Sequence, residues 1–118
     1  MMANLRAVAI FPRIPEENLD SFKRIAQEML IEIRKQDSIL RYDLFFTENG
    51  SRCVVLEEYV SAHGVIEHVK RHANFLEELT RLGGKIEGSM FPIGKSDDAL
   101  ESIKANWDSE VHNHFGGK

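Results

Sequence analysis

The chain has 118 residues, 42% of them hydrophobic and 29% charged, with a formal net charge of −4. That length suits one core and that composition a globular chain with a mildly acidic surface, which excludes the basic face a nucleic-acid binder needs. No run approaches 18 uninterrupted apolar residues, no signal-like apolar block opens the chain, and the lone Cys53 has no intrachain partner, so a cytoplasmic protein with no membrane partner is expected.

Residues 4–14, NLRAVAIFPRI, are rich in apolar and β-branched side chains, and Pro12 and Pro15 close the run, which suits a strand running into a turn. From Pro15 to about Gln36, apolar residues recur at Leu19, Phe22, Ile25, Ala26, Met29, Leu30 and Ile33, the spacing of one helical face. Pro15, Glu16 and Glu17 suit its start, where proline costs no hydrogen bond and acids meet the positive end of the helix dipole. Two strand-like runs follow, ILRYDLFF at 39–46 and RCVVLEEYV at 52–60. The Asn49-Gly50 pair between them favours an antiparallel hairpin. In the first run Tyr42, Leu44 and Phe46 share one face, and Arg41, Asp43 and Phe45 the other. In the second, Cys53, Val55, Glu57 and Tyr59 oppose Val54, Leu56 and Val60. Neither sheet face is purely polar, so both require cover, and alternation alone leaves open which one faces inward.

Ser61 suits the N-cap of a second helix that runs to the Gly83-Gly84 pair. On a continuous helix Val65, Val69, His72, Leu76 and Leu79 form an apolar stripe, His68 and Phe75 lie on its flank, and His63 falls on the solvent side. His68 and His72, four apart, supply two metal ligands of the three required, and His112 and His114 lie in a loose tail, so no native metal site is expected. His72 reads as a buried histidine with a backbone partner.

KIEGSMFPI, 85–93, is a fourth strand near an edge, since Pro92 cannot donate to a ladder. The order strand, helix, strand, strand, helix, strand predicts an α+β, ferredoxin-like βαββαβ domain over residues 1–95 with a four-stranded antiparallel sheet. Residues 96–118 form a separate C-terminal segment. In it Leu100, Ile103 and Trp107 recur at helical spacing.

Glu57-x-Tyr59-x-Ser61, followed after six residues by His68, resembles the pattern of the antibiotic biosynthesis monooxygenase-like domains of the dimeric α+β barrel superfamily. The resemblance covers residues 4 to about 94 in element order and length. It implies a homodimer that packs sheet to sheet around a cavity, and a cofactor-independent monooxygenase acting on a small aromatic or quinol-type substrate. Under this resemblance His68 is the base, Glu57 its orienting partner or an alternative base, and Tyr59 a donor to a substrate oxygen. Arg41, Asp43 and His72 are candidate substrate contacts. The alternative is a non-catalytic barrel that binds a small hydrophobic ligand. Two departures bear on the chemistry. Tyr59 stands where many members carry tryptophan, and Glu77 and Glu78 occupy the region where the haem-degrading branch carries its histidine, so haem cleavage is disfavoured.

Overall fold

The structure is a computed structural model that describes residues 3–118. Strand β1 (Leu5–Phe11) leads through a short 3-10 turn at Glu16–Asn18 into helix α1 (Leu19–Ile33). The expected helical start at Pro15 is thus a tighter turn first, and Asn18 anchors it by donating from Nδ2 to the carbonyl of Leu82 at 3.2 Å. Phe22, Ala26, Met29 and Ile33 are the buried positions of α1, the stripe that the sequence spacing predicts.

Strands β2 (Ile39–Phe46) and β3 (Cys53–Tyr59) pair antiparallel, as the hairpin pattern predicts. The turn differs from the tight Asn-Gly type. Only Gly50 has positive φ, at 73°, while Asn49 uses its side chain, accepting from the backbone and hydroxyl of Ser51 and from the hydroxyl of Thr47. The positive φ favours glycine at residue 50, and an added Cβ would meet the tip of the Leu19 side chain at 2.6 Å, which would have to shift.

The helix expected over 61–83 is two helices, α2 (Ala62–Arg71) and α3 (Ala73–Gly83), meeting at His72. The backbone of His72 (φ −111°, ψ 19°) leaves the helical region, so α3 starts on a new axis. His68 is buried together with Ala62 and Val65 on the inner face of α2, not on a flank, and His72 is buried at the junction.

Strand β4 (Glu87–Pro92) follows, then helix α4 (Asp98–Asn106), capped by the Asp97 carboxylate accepting from the Leu100 amide at 2.8 Å. A fifth strand, β5 (Ser109–Val111), then pairs parallel to β4. The sheet is therefore five-stranded and mixed, in the order β2-β3-β1-β4-β5, not four-stranded and antiparallel. Its first four strands keep the ferredoxin-like arrangement. The addition escapes pattern reading because Ser109, Glu110 and Val111 are too few and too polar to show alternation. The open outer edge of β4 receives them.

Helices cover one face of the sheet. Two apolar clusters lie beneath them, one built around Phe11, Phe22, Met29, Val55 and Leu79, the other around Leu5, Tyr59, Val65, Met90, Leu100 and Ile103. The second face has no helix. It carries Arg6 and Val8 of β1, Arg41, Asp43 and Phe45 of β2, Leu56 and Glu58 of β3 and Phe91 of β4, with Phe45 54% exposed and Leu56 40%.

Candidate functional site

Alternation along β3 settles which side chains turn inward. Cys53, Val55, Glu57 and Tyr59 are buried beneath the helices, while Leu56 and Glu58 face away. Tyr42 of β2 pairs directly with Glu57 and shares its face. Helix α2 brings His68 over this pair, its ring centroid 5.0 Å from that of Tyr42 and 6.2 Å from that of Tyr59. Between the apolar clusters, these groups line a cavity of about 100 Å³. Val65, Leu76, Met90 and Trp107 supply apolar wall, and Val69, on the exposed side of α2, lies at its rim.

The polar pairing inside differs from the expected one. Glu57 bonds Tyr59, whose hydroxyl donates to Glu57 Oε1 at 2.5 Å. Burial pushes the Glu57 carboxyl up to about 7, partly offset by this donated bond, which favours the anion. Burial likewise holds the Tyr42 and Tyr59 phenols well above their ordinary value, with the nearby Glu57 charge acting in the same direction. Glu57 is therefore the one acid in the cavity that exchanges its proton near neutral pH.

His68 pairs instead with His72. His72 Nδ1 lies 2.9 Å from the His68 carbonyl oxygen and 2.8 Å from His68 Nδ1. A carbonyl only accepts, so His72 carries its proton on Nδ1, and His68 Nδ1 is left to accept. The neutral His68 ring then bears its proton on Nε2, as a donor. Burial, with the neighbouring His72 adding to it, depresses the His68 imidazole to about 3, which makes it a weak base and keeps it neutral. His72 is also depressed, chiefly by burial, and its Nε2 has no hydrogen-bond partner among the described residues.

The structure brings Glu57, Tyr59 and His68 to one cavity, with His72 bonded to His68. Arg41 and Asp43 do not join them. Arg41 bonds Glu58 at 2.8 Å and Asp43 at 2.9 Å on the helix-free face. Tyr42 and Trp107 also line the cavity. Tyr42 is legible only once the β2–β3 register sets it opposite Glu57, and Trp107 only once the C-terminal segment is known to fold back. Among the described residues no three His, Cys, Asp or Glu side chains gather as a metal site. The cavity lies below the roughly 300–1,000 Å³ of sites for drug-sized ligands, so a haem or flavin does not fit within it.

No protein-family model matches the chain, and no curated protein matches its sequence. Solved structures do match. The antibiotic biosynthesis monooxygenase of one crystal structure is 18% identical, with a TM-score of 0.63 over 79% of this chain and 99% of its own. The chain has the fold of antibiotic biosynthesis monooxygenase-like proteins. A Caulobacter crescentus protein, provisionally assigned to antibiotic biosynthesis monooxygenases, superposes with a TM-score of 0.67 at 12% identity, covering 79% of this chain and 92% of its own. MupZ from Pseudomonas fluorescens is 18% identical, with a TM-score of 0.78 over 97% of this chain and 91% of its own. At these identities the likeness concerns fold. The fuller cover of MupZ takes in most of residues 96–118.

Proposed function

We propose that this protein is a cofactor-independent oxygenase of a small hydroxylated arene, working as a homodimer. The observation that carries the reading is the convergence of Glu57, Tyr59 and His68 on one apolar cavity in this fold. Glu57, exchanging its proton near neutral pH, is the base, a role for which the weakly basic His68 is unsuited. His68 Nε2–H and the Tyr42 hydroxyl are the donors available to the aryloxide that results.

The electron count closes without an added reductant. The aryloxide passes one electron to dioxygen, the two radicals combine into a carbon–oxygen bond, and the O–O bond breaks with release of water. A hydroquinone plus O2 thus gives a hydroxyquinone plus H2O. The apolar walls keep bulk water from the reactive pair. For the dimer, the support is the helix-free sheet face, on which Phe45, Leu56 and Phe91 are exposed between the Arg41, Asp43 and Glu58 charges.

A second reading, a barrel that binds a small apolar molecule without turnover, draws on the Tyr59–Glu57 bond itself, which satisfies both groups internally as a purely structural pair would. Oxygen uptake with a panel of hydroquinones separates the two. The oxygenase reading expects one O2 consumed per substrate and a loss of about 10²–10⁴-fold in Glu57→Gln, the usual worth of a general base. Equal uptake by wild type, Glu57→Gln and buffer leaves only the binding barrel.

A further inference from the structure

The C-terminal segment does more than brace the domain. Its helix α4 buries Ala99, Leu100 and Ile103 in the second apolar cluster, and Trp107 packs against the same cluster. From Trp107 the backbone is extended into β5, so successive side chains alternate. Trp107 and Ser109 line the cavity, whereas Asp108 and Glu110 line a separate surface groove of about 730 Å³. The segment thus forms the cavity wall beyond β4. It is held by three parallel register pairs, from Gly88–Ser109 to Met90–Val111, and by an exposed Lys85–Asp108 bridge at 2.9 Å.

We infer that Trp107 is the specificity-determining wall of this cavity, restricting its ligand to one six-membered ring bearing a hydroxyl. Size carries the first half. An apolar protein cavity of about 150 Å³ holds benzene, and about 100 Å³ beside the indole is of the same order. A second fused ring exceeds that volume, and Trp107 is part of the wall that bounds it. Chemistry carries the other half, since Glu57 and Tyr42 on the sheet and His68 on α2 offer a hydroxyl an acceptor and donors, while the remaining lining is mostly apolar, Ser89 and Ser109 apart. The inference rests on the proposal that this cavity is the ligand site, and not on the oxygenation chemistry.

Trp107 is the chain's only tryptophan, so its emission reports occupancy without any substitution. The experiment is titration of the full chain under nitrogen with phenol, hydroquinone and 1-naphthol by calorimetry, with Trp107 emission followed for the first two. The same calorimetry is run on Trp107→Ala and Trp107→Phe. Expected are a saturable emission change on phenol binding and single-ring affinity at least about tenfold above that for 1-naphthol. The preference should shrink to near parity in Trp107→Ala and persist in part in Trp107→Phe. Wild type binding 1-naphthol as tightly as phenol overturns the inference, even if oxygen uptake is seen. Binding with the expected preference but no oxygen uptake upholds it and sinks the oxygenase reading alone. No binding of any of the three probes to wild type overturns it and removes the ligand site with it.

Discussion

Tyr59 and Glu57 stand two residues apart on one strand, both turned beneath the helices, and the phenol donates to the carboxyl across 2.5 Å. Burial disfavours the Glu57 anion and this bond favours it. The carboxyl consequently sits near neutrality, where burial alone would take it higher.

Removing the donor separates the two effects. In Tyr59→Phe the carboxyl loses its partner, so its titration moves above the wild-type value. The acid limb of the pH–rate profile should follow it upward. Leaving a buried acceptor unpaired costs roughly 1–3 kcal/mol, readable in urea unfolding. An acid limb that stays in place would show that the bond does not form in solution.

Glu57 and His68 bend the pH dependence of stability in opposite senses. Glu57 is raised from 4.5 to about 7, so its contribution is intact below 4.5 and is lost as pH climbs through 7, by roughly 3 kcal/mol. His68 is lowered from 6.5 to about 3, so its contribution is intact above 6.5 and is lost as pH falls toward 3. Between 4.5 and 6.5 the two slopes oppose. Relative to wild type, Glu57→Gln should gain stability from about pH 5 to about pH 8, and His68→Asn should gain it from about pH 7 to about pH 4. Variants that track wild type in parallel across that range contradict the burial of these groups.

His72 is expected to matter for order more than for stability. His72→Leu removes the Nδ1–H that the His68 carbonyl and His68 Nδ1 share, but also a buried Nε2 with no partner among the described residues. A lost bond near 1 kcal/mol and a relieved orphan of similar size leave stability within about 1 kcal/mol of wild type. His68 Nδ1, however, loses the donor that fixes its tautomer. Nitrogen NMR should show one Nε2–H tautomer for His68 in wild type and a mixture in His72→Leu. A single unchanged tautomer in the variant would put the control elsewhere.

The helix-free face yields a test of assembly. Light scattering should return twice the chain mass, and Leu56→Lys, which places a charge at the centre of that face between Val8 and Asp43, should return a monomer without loss of secondary structure. A wild-type monomer at high concentration would contradict the dimer.

Periodicity predicts the α1 stripe through Phe22, Ala26, Met29 and Ile33 and the pairing of β2 with β3, because each depends on local spacing. The grouping of Glu57, Tyr59 and His68 was legible too, through family resemblance. What spacing could not give was direction. Which face of β3 is inward depends on where the helices dock, and both faces of the hairpin carry apolar residues. The break at His72 is invisible because an apolar stripe runs through it and no glycine or proline marks it. The pairing of His68 with His72 is an ordinary contact four residues apart on one helix; what spacing does not show is that it takes the place of a bond from His68 to Glu57. β5 leaves no pattern at all, and without it nothing in the spacing places Trp107 on the cavity wall.

The proposed chemistry depends most on a carboxyl held away from water inside this cavity. Carbon NMR of chain labelled at glutamate carboxyls, with the Glu57 signal assigned by its loss in Glu57→Gln, measures that directly. A titration midpoint near 7 is expected. A midpoint at the ordinary 4.5 would place Glu57 in bulk water and leave the cavity without its base.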